Sequence, residues 1–150
     1  MKLLYTIIIM FIASFVIQFS LMSVIMTNKI GYVTNNLGKV YMSVIMALYM
    51  VILEVMMHDH QYGIFSAKMY LFYGSLLILF IYLYRNQVYI SEKQYLENMI
   101  EHHSMALLSS EEILKKTDNY DITKLAKNIL QTQNDEITYM NKILQKMKDA

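Results

Sequence analysis

Long apolar runs dominate the first 90 residues, and the remaining 60 residues alternate apolar and polar positions at helical spacing. The first run lies between Lys2 and Lys29 and contains no charge. The second carries Glu54 near its end, and the third carries Lys68 near its start. A helix of about 20 apolar residues crosses the hydrocarbon core of a bilayer. The pattern therefore predicts three transmembrane helices, at about 3–26, 40–57 and 64–84.

The first run also has the position of a secretory signal peptide. Its apolar region is longer than such peptides usually have, and no small-x-small cleavage site follows it. These features favour a helix that stays in the protein. Polar residues between the runs predict loops at 28–39 and 58–63.

A different pattern begins after Gln87. Ser91 followed by Gln94 is a capping-box start for a helix. The segment 117–120 interrupts the apolar periodicity, and Asp121 is the expected cap of a second helix. The sequence thus predicts an all-α protein, with a membrane domain at 1–87 and an amphipathic αα-hairpin at 88–150. The apolar positions of the hairpin are Tyr95, Leu96, Met99, Ile100, Ala106, Leu107, Ile113, Leu114, Ile122, Leu125, Ala126, Ile129, Ile137, Met140, Leu144 and Met147.

A hairpin of this size buries little apolar surface on its own. Its stripes must pack against the membrane helices, against another copy, or against both. Two hairpins from a homodimer would complete a four-helix bundle, which is a common place for metal sites. A homodimer is therefore one expectation.

Composition supports a lipid environment and excludes several classes of protein. Hydrophobic residues make up 56% of the chain and charged residues 17%, which is apolar for a soluble domain. The net charge of +1 provides no basic stripe for nucleic acid. The absence of cysteine excludes disulfides, zinc ribbons, iron–sulfur clusters and thiol catalysis.

The orientation in the membrane rests on a few basic residues. Three spans place the first loop and the hairpin on one side, with Lys29, Lys39 and Arg85 near the membrane. The N-terminus and second loop share the other side, with Lys2 and Lys68. This count favours a cytoplasmic hairpin.

Candidate metal ligands lie on both helices of the hairpin. Met99 and His103 are four residues apart, so they share a helix face. His102 is turned about 100° from His103. If the two helices face each other, thioether, imidazole and carboxylate groups converge. Thioether with imidazole favours Cu(I), and a carboxylate makes Cu(II) or Zn(II) acceptable. The candidate ligands are Met99, His102, His103, Gln133, Glu136 and Met140.

A second, weaker candidate lies in the membrane domain. Five of its six residues recur every four positions, from Met42 to His58, and drift about 40° around the helix at each step. His60 follows at the end of the row. Adjacent pairs could pass an ion along the helix face, although such a row is also typical of plain helix packing. An intramembrane carboxylate is costly and often functional. The candidates are Met42, Met46, Met50, Glu54, His58 and His60.

The same hairpin residues also permit a structural interpretation, in which the methionines fill the core and the histidines make ordinary hydrogen bonds. No glutamate is followed three residues later by histidine, as a di-iron carboxylate bundle needs. The His-Glu-x-x-His motif of zinc proteases is absent as well. An enzyme is therefore not expected.

Two separated motifs resemble the family catalogued as domain of unknown function 305. They are Met-Ile-x-His-His at 99–103 with Ala106, and Gln-x-x-Glu-Ile-x-x-Met at 133–140, preceded by Leu125-Ala126. The membrane part, with its methionine-rich second helix, resembles a membrane-anchored branch of that family. The resemblance implies a ferritin-like helical half-bundle and copper binding at Met99, His102, His103, Gln133, Glu136 and Met140. It also implies an extracytoplasmic hairpin, against the lysine count.

Two residues depart from the pattern of that family. Glu101 stands where the family usually has proline, and Ser109 stands where a methionine usually follows the histidines. Two functions follow as hypotheses. One is a non-enzymatic membrane protein that sequesters copper or passes it to an unidentified delivery partner. The other is a structural or partner-binding membrane protein that keeps the hairpin without metal.

Overall fold

The computed structural model describes residues 3–149, which are almost entirely helical. The described residues form two compact units. One unit comprises 3–22 and 37–89, and the other comprises 23–36 and 90–149. The prediction of an all-α fold is confirmed for the described part of the chain.

The first unit consists of helices with apolar surfaces. Helix α1 spans Leu3–Val16 and continues through a π-helical stretch, Ile17–Met22. Helix α3 spans Leu37–Tyr62 and α4 spans Ala67–Arg85. Helix α3 packs against both α1 and α4, so it is the central helix of this unit. Its core comprises Ile7, Val51 and Val55, with Leu3, Phe11, Met69, Tyr70 and Tyr73 against it.

The predicted membrane spans correspond to helices in this structure. Three helical segments among the described residues are long and apolar enough to cross a bilayer, namely Leu3–Met26, Leu37–Tyr62 and Ala67–Arg85. The first includes helix α2, Ser23–Met26. None of the residues of α4 is buried against protein, which suits a helix that faces lipid. Lys2, used in the orientation count, lies outside the described residues.

The prediction of a loop at 58–63 was wrong for most of its length. Helix α3 continues to Tyr62, because the first helix-breaking residue is Gly63, whose φ of 63° is easy only for glycine. The buried Asp59 carboxylate accepts hydrogen bonds from the backbone N–H and the hydroxyl of Ser66, at 2.6 and 2.8 Å. This contact fixes the turn into α4.

The starts of α3 and α4 also differ from the predicted ones by three residues each. Helix α3 begins at Leu37 instead of residue 40, so Gly38 and Lys39 are helical and buried. Helix α4 begins at Ala67, three residues after the predicted start. The loop between the first two spans contains a short 3-10 turn, Ile30–Tyr32. Hydropathy locates the apolar centre of a helix better than its ends, where flanking polar residues can also be helical.

The second unit is built on the predicted hairpin. Helix α5 spans Glu92–Leu114 and α6 spans Tyr120–Asp149. The two pack along their apolar stripes, and residues 23–36 pack on α5 from another side. The core of this unit comprises Leu96, Ile100, Leu107, Ile137 and Met140, with Tyr32, Met99, Leu130, Ile143 and Leu144 against it.

Caps define where the hairpin helices begin. The capping box at α5 is confirmed, since Ser91 Oγ accepts the Gln94 N–H and Gln94 Oε1 accepts the Ser91 N–H. The prediction that Asp121 caps α6 was wrong. Asn119 Oδ1 accepts the N–H groups of Asp121 and Ile122, at 2.9 and 3.2 Å. Asn119 takes the role because the helix begins at Tyr120, two residues before the start that a cap at Asp121 predicts.

Candidate metal centre of the helical hairpin

His103 forms the link between the two helices at the predicted site. Its Nδ1 lies 2.7 Å from the carbonyl oxygen of Met99, one turn earlier on α5. Its Nε2 lies 2.7 Å from Oε2 of Glu136 on α6. The Gln133 side-chain amide donates to the same Glu136 oxygen at 3.4 Å. The structure therefore brings together three of the predicted residues, His103, Gln133 and Glu136.

The two contacts of the ring restrict where its hydrogens lie. A carbonyl oxygen only accepts, so Nδ1 of His103 carries hydrogen and donates to Met99. An ionised carboxylate also only accepts, so the contact with Glu136 is a hydrogen bond when Nε2 carries hydrogen too. The His103 side chain is 12% exposed and that of Glu136 is 50% exposed. The pair thus lies at the edge of the hairpin core, within reach of solvent.

The two predicted methionine ligands have another environment. Met140 is 8% exposed and belongs to the core between α5 and α6. Met99 is half-buried and packs against the same core. Their side chains therefore take part in packing, beside the His103–Glu136 contact on the same helices.

His102 is separated from this group. It is exposed, and its ring centre lies 6.2 Å from that of His103. The described residues contain no group of three or more histidine, cysteine, aspartate or glutamate side chains placed to hold a metal ion. The nitrogen and oxygen donors of the hairpin come together as a pair.

The candidate residues of the membrane domain all lie on α3. Met42 and Met46 are 40% and 46% exposed and face away from the packed side of the helix. Met50 and Glu54 are half-buried, and His60 is exposed. His58 packs on Tyr62, with ring centres 4.7 Å apart, and its Nδ1 lies 3.5 Å from Asp59. Ion passage along this row stays a prediction.

Sequence reasoning missed a second set of contacts on α5. Residues 27–36, here called the strap, bind the polar face of this helix. The backbone N–H of Asn28 donates to Ser104 Oγ at 3.0 Å, and Ser104 donates in return to Asn28 Oδ1 at 2.8 Å. The Thr34 N–H and hydroxyl donate to Glu101 Oε2, at 2.8 and 3.2 Å. Both Glu101 and Ser104 are buried.

A signal for the strap was nevertheless present in the sequence. Polar residues recur on α5 at positions 97, 101, 104 and 111, which is helical spacing for a second face beside the apolar stripe. Asn28 also reaches the last of these, with its amide 3.4 Å from a Glu111 oxygen. A polar row of this kind is usually taken for a solvated surface, and only the fold reveals its partner.

Comparisons with known proteins give a family match for the hairpin and one relative for almost the whole chain. Residues 85–149 match the family model described as Domain of unknown function (DUF305). The hairpin of this chain is a DUF305 domain. It is also 34% identical over 142 residues to an uncharacterized protein of Acanthamoeba polyphaga mimivirus, covering 95% of this chain and 93% of the viral protein. No solved structure gives a significant match.

The DUF305 match covers the whole hairpin and thus every candidate ligand on α5 and α6. It begins at Arg85, the last residue of the third apolar helix, and does not include the strap. The similarity to the viral protein, in contrast, extends over almost the entire chain.

Proposed function

We propose that this DUF305 protein is a membrane-anchored metal-binding protein that sequesters copper or passes it on through the α5–α6 hairpin. The observation that supports the proposal is the fixed orientation of His103. Its Nδ1 donates to a backbone carbonyl while Nε2 points at a carboxylate of the facing helix. Metal-binding histidines are commonly oriented in this way: one ring nitrogen donates its hydrogen to a carbonyl or carboxylate oxygen, and the other ring nitrogen binds the ion.

The donor chemistry fits copper in two ways. Imidazole nitrogen and carboxylate oxygen, as in His103 and Glu136, suit Cu(II) or Zn(II). Cu(I) prefers thioether sulfur, which Met99 or Met140 would supply by turning out of the hairpin core. Cu(I) remains the favoured ion in this proposal, because each methionine lies one helical turn from a member of the pair, Met99 from His103 and Met140 from Glu136.

The test is the metal content of the detergent-purified, full-length protein, followed by competition against a Cu(I) chelator. We expect near-stoichiometric copper in the wild-type protein. Glu136→Gln should lose it, because an amide is a poor replacement for a carboxylate ligand, while the half-exposed position keeps the hairpin folded. Asp135→Asn is the matched control, since Asp135 is exposed on the same helix and bonds to Gln131. If the wild-type protein contains no metal after purification and does not compete with the chelator for Cu(I), the proposal is refuted.

Acid should weaken metal binding. A metal ion at Nε2 of His103 takes the place of the hydrogen that the Glu136 contact requires. Metal and proton therefore compete for one nitrogen, and the affinity should fall as the pH is lowered. Titrations at several pH values measure this directly, and an affinity that does not change with pH would argue against a His103 ligand.

Conservative changes test the thioethers. Met99→Leu and Met140→Leu nearly preserve side-chain volume, so the core should tolerate them. If sulfur binds the ion, these variants lose Cu(I) affinity and keep Zn(II) affinity. Equal loss of both metals would indicate that the substitutions disturbed the hairpin.

A structural function is the second candidate. Met99 and Met140 pack in the core, and His103 already has a partner at each ring nitrogen. In this interpretation the His103–Glu136 contact stabilises the packing of α5 on α6, and the protein binds a partner without metal. The metal measurement above separates the two functions.

Location and assembly complete the proposal. We place the protein in the membrane-anchored, copper-linked branch of the family, with the hairpin outside the cytoplasm and lipid around the apolar helices. A homodimer would cover apolar side chains left exposed on α6, among them Ile122, Leu125 and Met147, and so complete a four-helix bundle. A reporter fused to the C-terminus tests the side of the membrane. Crosslinking or mass photometry that detects only monomer would exclude the dimer.

A further inference from the structure

We propose that the strap, residues 27–36, positions α5 so that His103 meets Glu136, which makes Ser104 and Thr34 positioning residues of the hairpin site. The role of the strap in metal binding rests on the function proposed above. Its effect on the His103–Glu136 contact does not, because that contact exists without metal.

The geometry of α5 supports this role. At 100° per residue, Glu101, Ser104 and Glu111 fall within about 80° of one another on the helix surface. The core residues Leu96, Ile100 and Leu107 form the adjoining row, and His103 lies on the far side of that row. Helix α5 is thus held on one flank by the strap and on the other by α6.

Several hydrogen bonds hold the strap on its flank of α5. Ser104 and Asn28 exchange two hydrogen bonds, and Thr34 donates to both Glu101 and the carbonyl oxygen of Glu97. Ser104 is fully buried, so loss of its partner would leave a polar group without water. Tyr32 packs on the same hydrophobic core as α5. These contacts oppose rotation of α5 about its axis.

A small rotation is enough to disrupt the site. The Nε2 atom of a histidine lies roughly 6–7 Å from the axis of its helix, so a turn of 20° moves it by about 2 Å. The 2.7 Å contact between His103 and Glu136 would then be lost, because hydrogen bonds rarely exceed about 3.2 Å. Release of the strap should therefore loosen the site without unfolding the hairpin.

The test uses a double variant of the full-length protein, Thr34→Val with Ser104→Ala. Both substitutions remove a hydroxyl and nearly preserve shape, and the Thr34 N–H stays in place. The matched control is Ser109→Ala with Thr138→Val. These exposed hydroxyls bond only to carbonyl oxygens of their own helices, Met105 and Asn134.

Two measurements are made on each protein in detergent. Nitrogen resonances of labelled His103 report the Nε2 hydrogen bond without metal, and chelator competition reports copper affinity. We expect the strap variant to change the Nε2 resonance and to lose about tenfold or more in affinity, as losses of supporting contacts around metal ligands do. The control variant should match the wild-type protein in both.

The outcomes separate the two proposals. If the wild-type protein binds no copper but the strap variant alone shifts the Nε2 resonance, the positioning role stands and the metal function fails. If copper binds, and the Nε2 resonance of His103 and the copper affinity are each the same in all three proteins, the positioning role is overturned. If the helical content of the double variant falls, Asn28→Ala is measured in its place, because this substitution leaves the sequence of α5 unchanged. The same two measurements then decide the result.

Discussion

His103 is the residue on which both functional hypotheses depend. It was selected from the sequence by its spacing from Met99, and the structure confirms that its ring lies on the face that meets α6. The spacing could not reveal that His102 points to solvent instead. Adjacent histidines are equivalent in a pattern, and only the packing of α6 distinguishes them.

Replacement of His103 should destabilise the hairpin. His103→Ala removes two hydrogen bonds, one within α5 to Met99 and one across to Glu136 at the edge of the hairpin core, and we expect a loss of about 1–3 kcal/mol. His102→Ala is the control and should stay within about 0.5 kcal/mol, because that side chain is exposed. Denaturation of the detergent-solubilised protein, followed by circular dichroism, measures both. Equal stability of the two variants would contradict the assigned role.

Helix ends show at the level of elements what the sequence could and could not predict. The capping box at Ser91 was predictable because both of its residues are local. The end of α3 was not, because it depends on Asp59 reaching across the turn to Ser66. The strap on α5 depends on contacts between residues 67 and 76 positions apart, which no local pattern contains.

The start of α6 offers a direct comparison between two cap candidates. Asn119→Ala removes the oxygen that accepts two N–H groups of the first turn, and should destabilise the hairpin by about 1 kcal/mol. Asp121→Ala should have a smaller effect, since Asp121 lies inside the helix. Chemical denaturation of the two variants decides the assignment, and a larger effect at Asp121 would reverse it.

The end of α5 should respond to pH through one exposed ion pair. The hydrogen bond and charge of Lys115 lower the pKa of Glu112, and Glu112 raises the pKa of Lys115 in return. A lowered carboxyl pKa stabilises the fold above the unfolded-state pKa, and this contribution is lost as the pH falls through the folded-state pKa. In NMR titrations, Lys115→Gln should return the Glu112 pKa toward its ordinary value. An unchanged titration would refute the pairing.

At the scale of the whole molecule, the second unit joins two segments that are distant in the chain, residues 23–36 and 90–149. Strap residues bind α5 directly, at Ser104 and Glu101. If the three apolar helices cross a membrane, the strap and the hairpin must therefore lie on the same side of it. The count of three spans already implied this arrangement, and the structure adds the contacts that require it.

Single cysteines can test that arrangement, because the chain contains none. Asn35 in the strap, Tyr139 on α6 and Gln61 at the C-terminal end of α3 are all exposed and can each be replaced by cysteine. In sealed vesicles, an impermeant thiol reagent should label the first two from one side and Gln61→Cys from the other. Labelling of positions 35 and 139 from opposite sides would contradict the strap contacts.

The distance along the chain between strap and α5 also sets an order of events during synthesis. Asn28 leaves the ribosome 76 residues before Ser104, which corresponds to about 4–15 s at ordinary elongation rates. Helices α3 and α4 are made in that interval. During this time Asn28 and Thr34 lack their hydrogen-bond partners on α5, Ser104 and Glu101. Water must therefore supply the hydrogen bonds of these strap residues until the hairpin has been made.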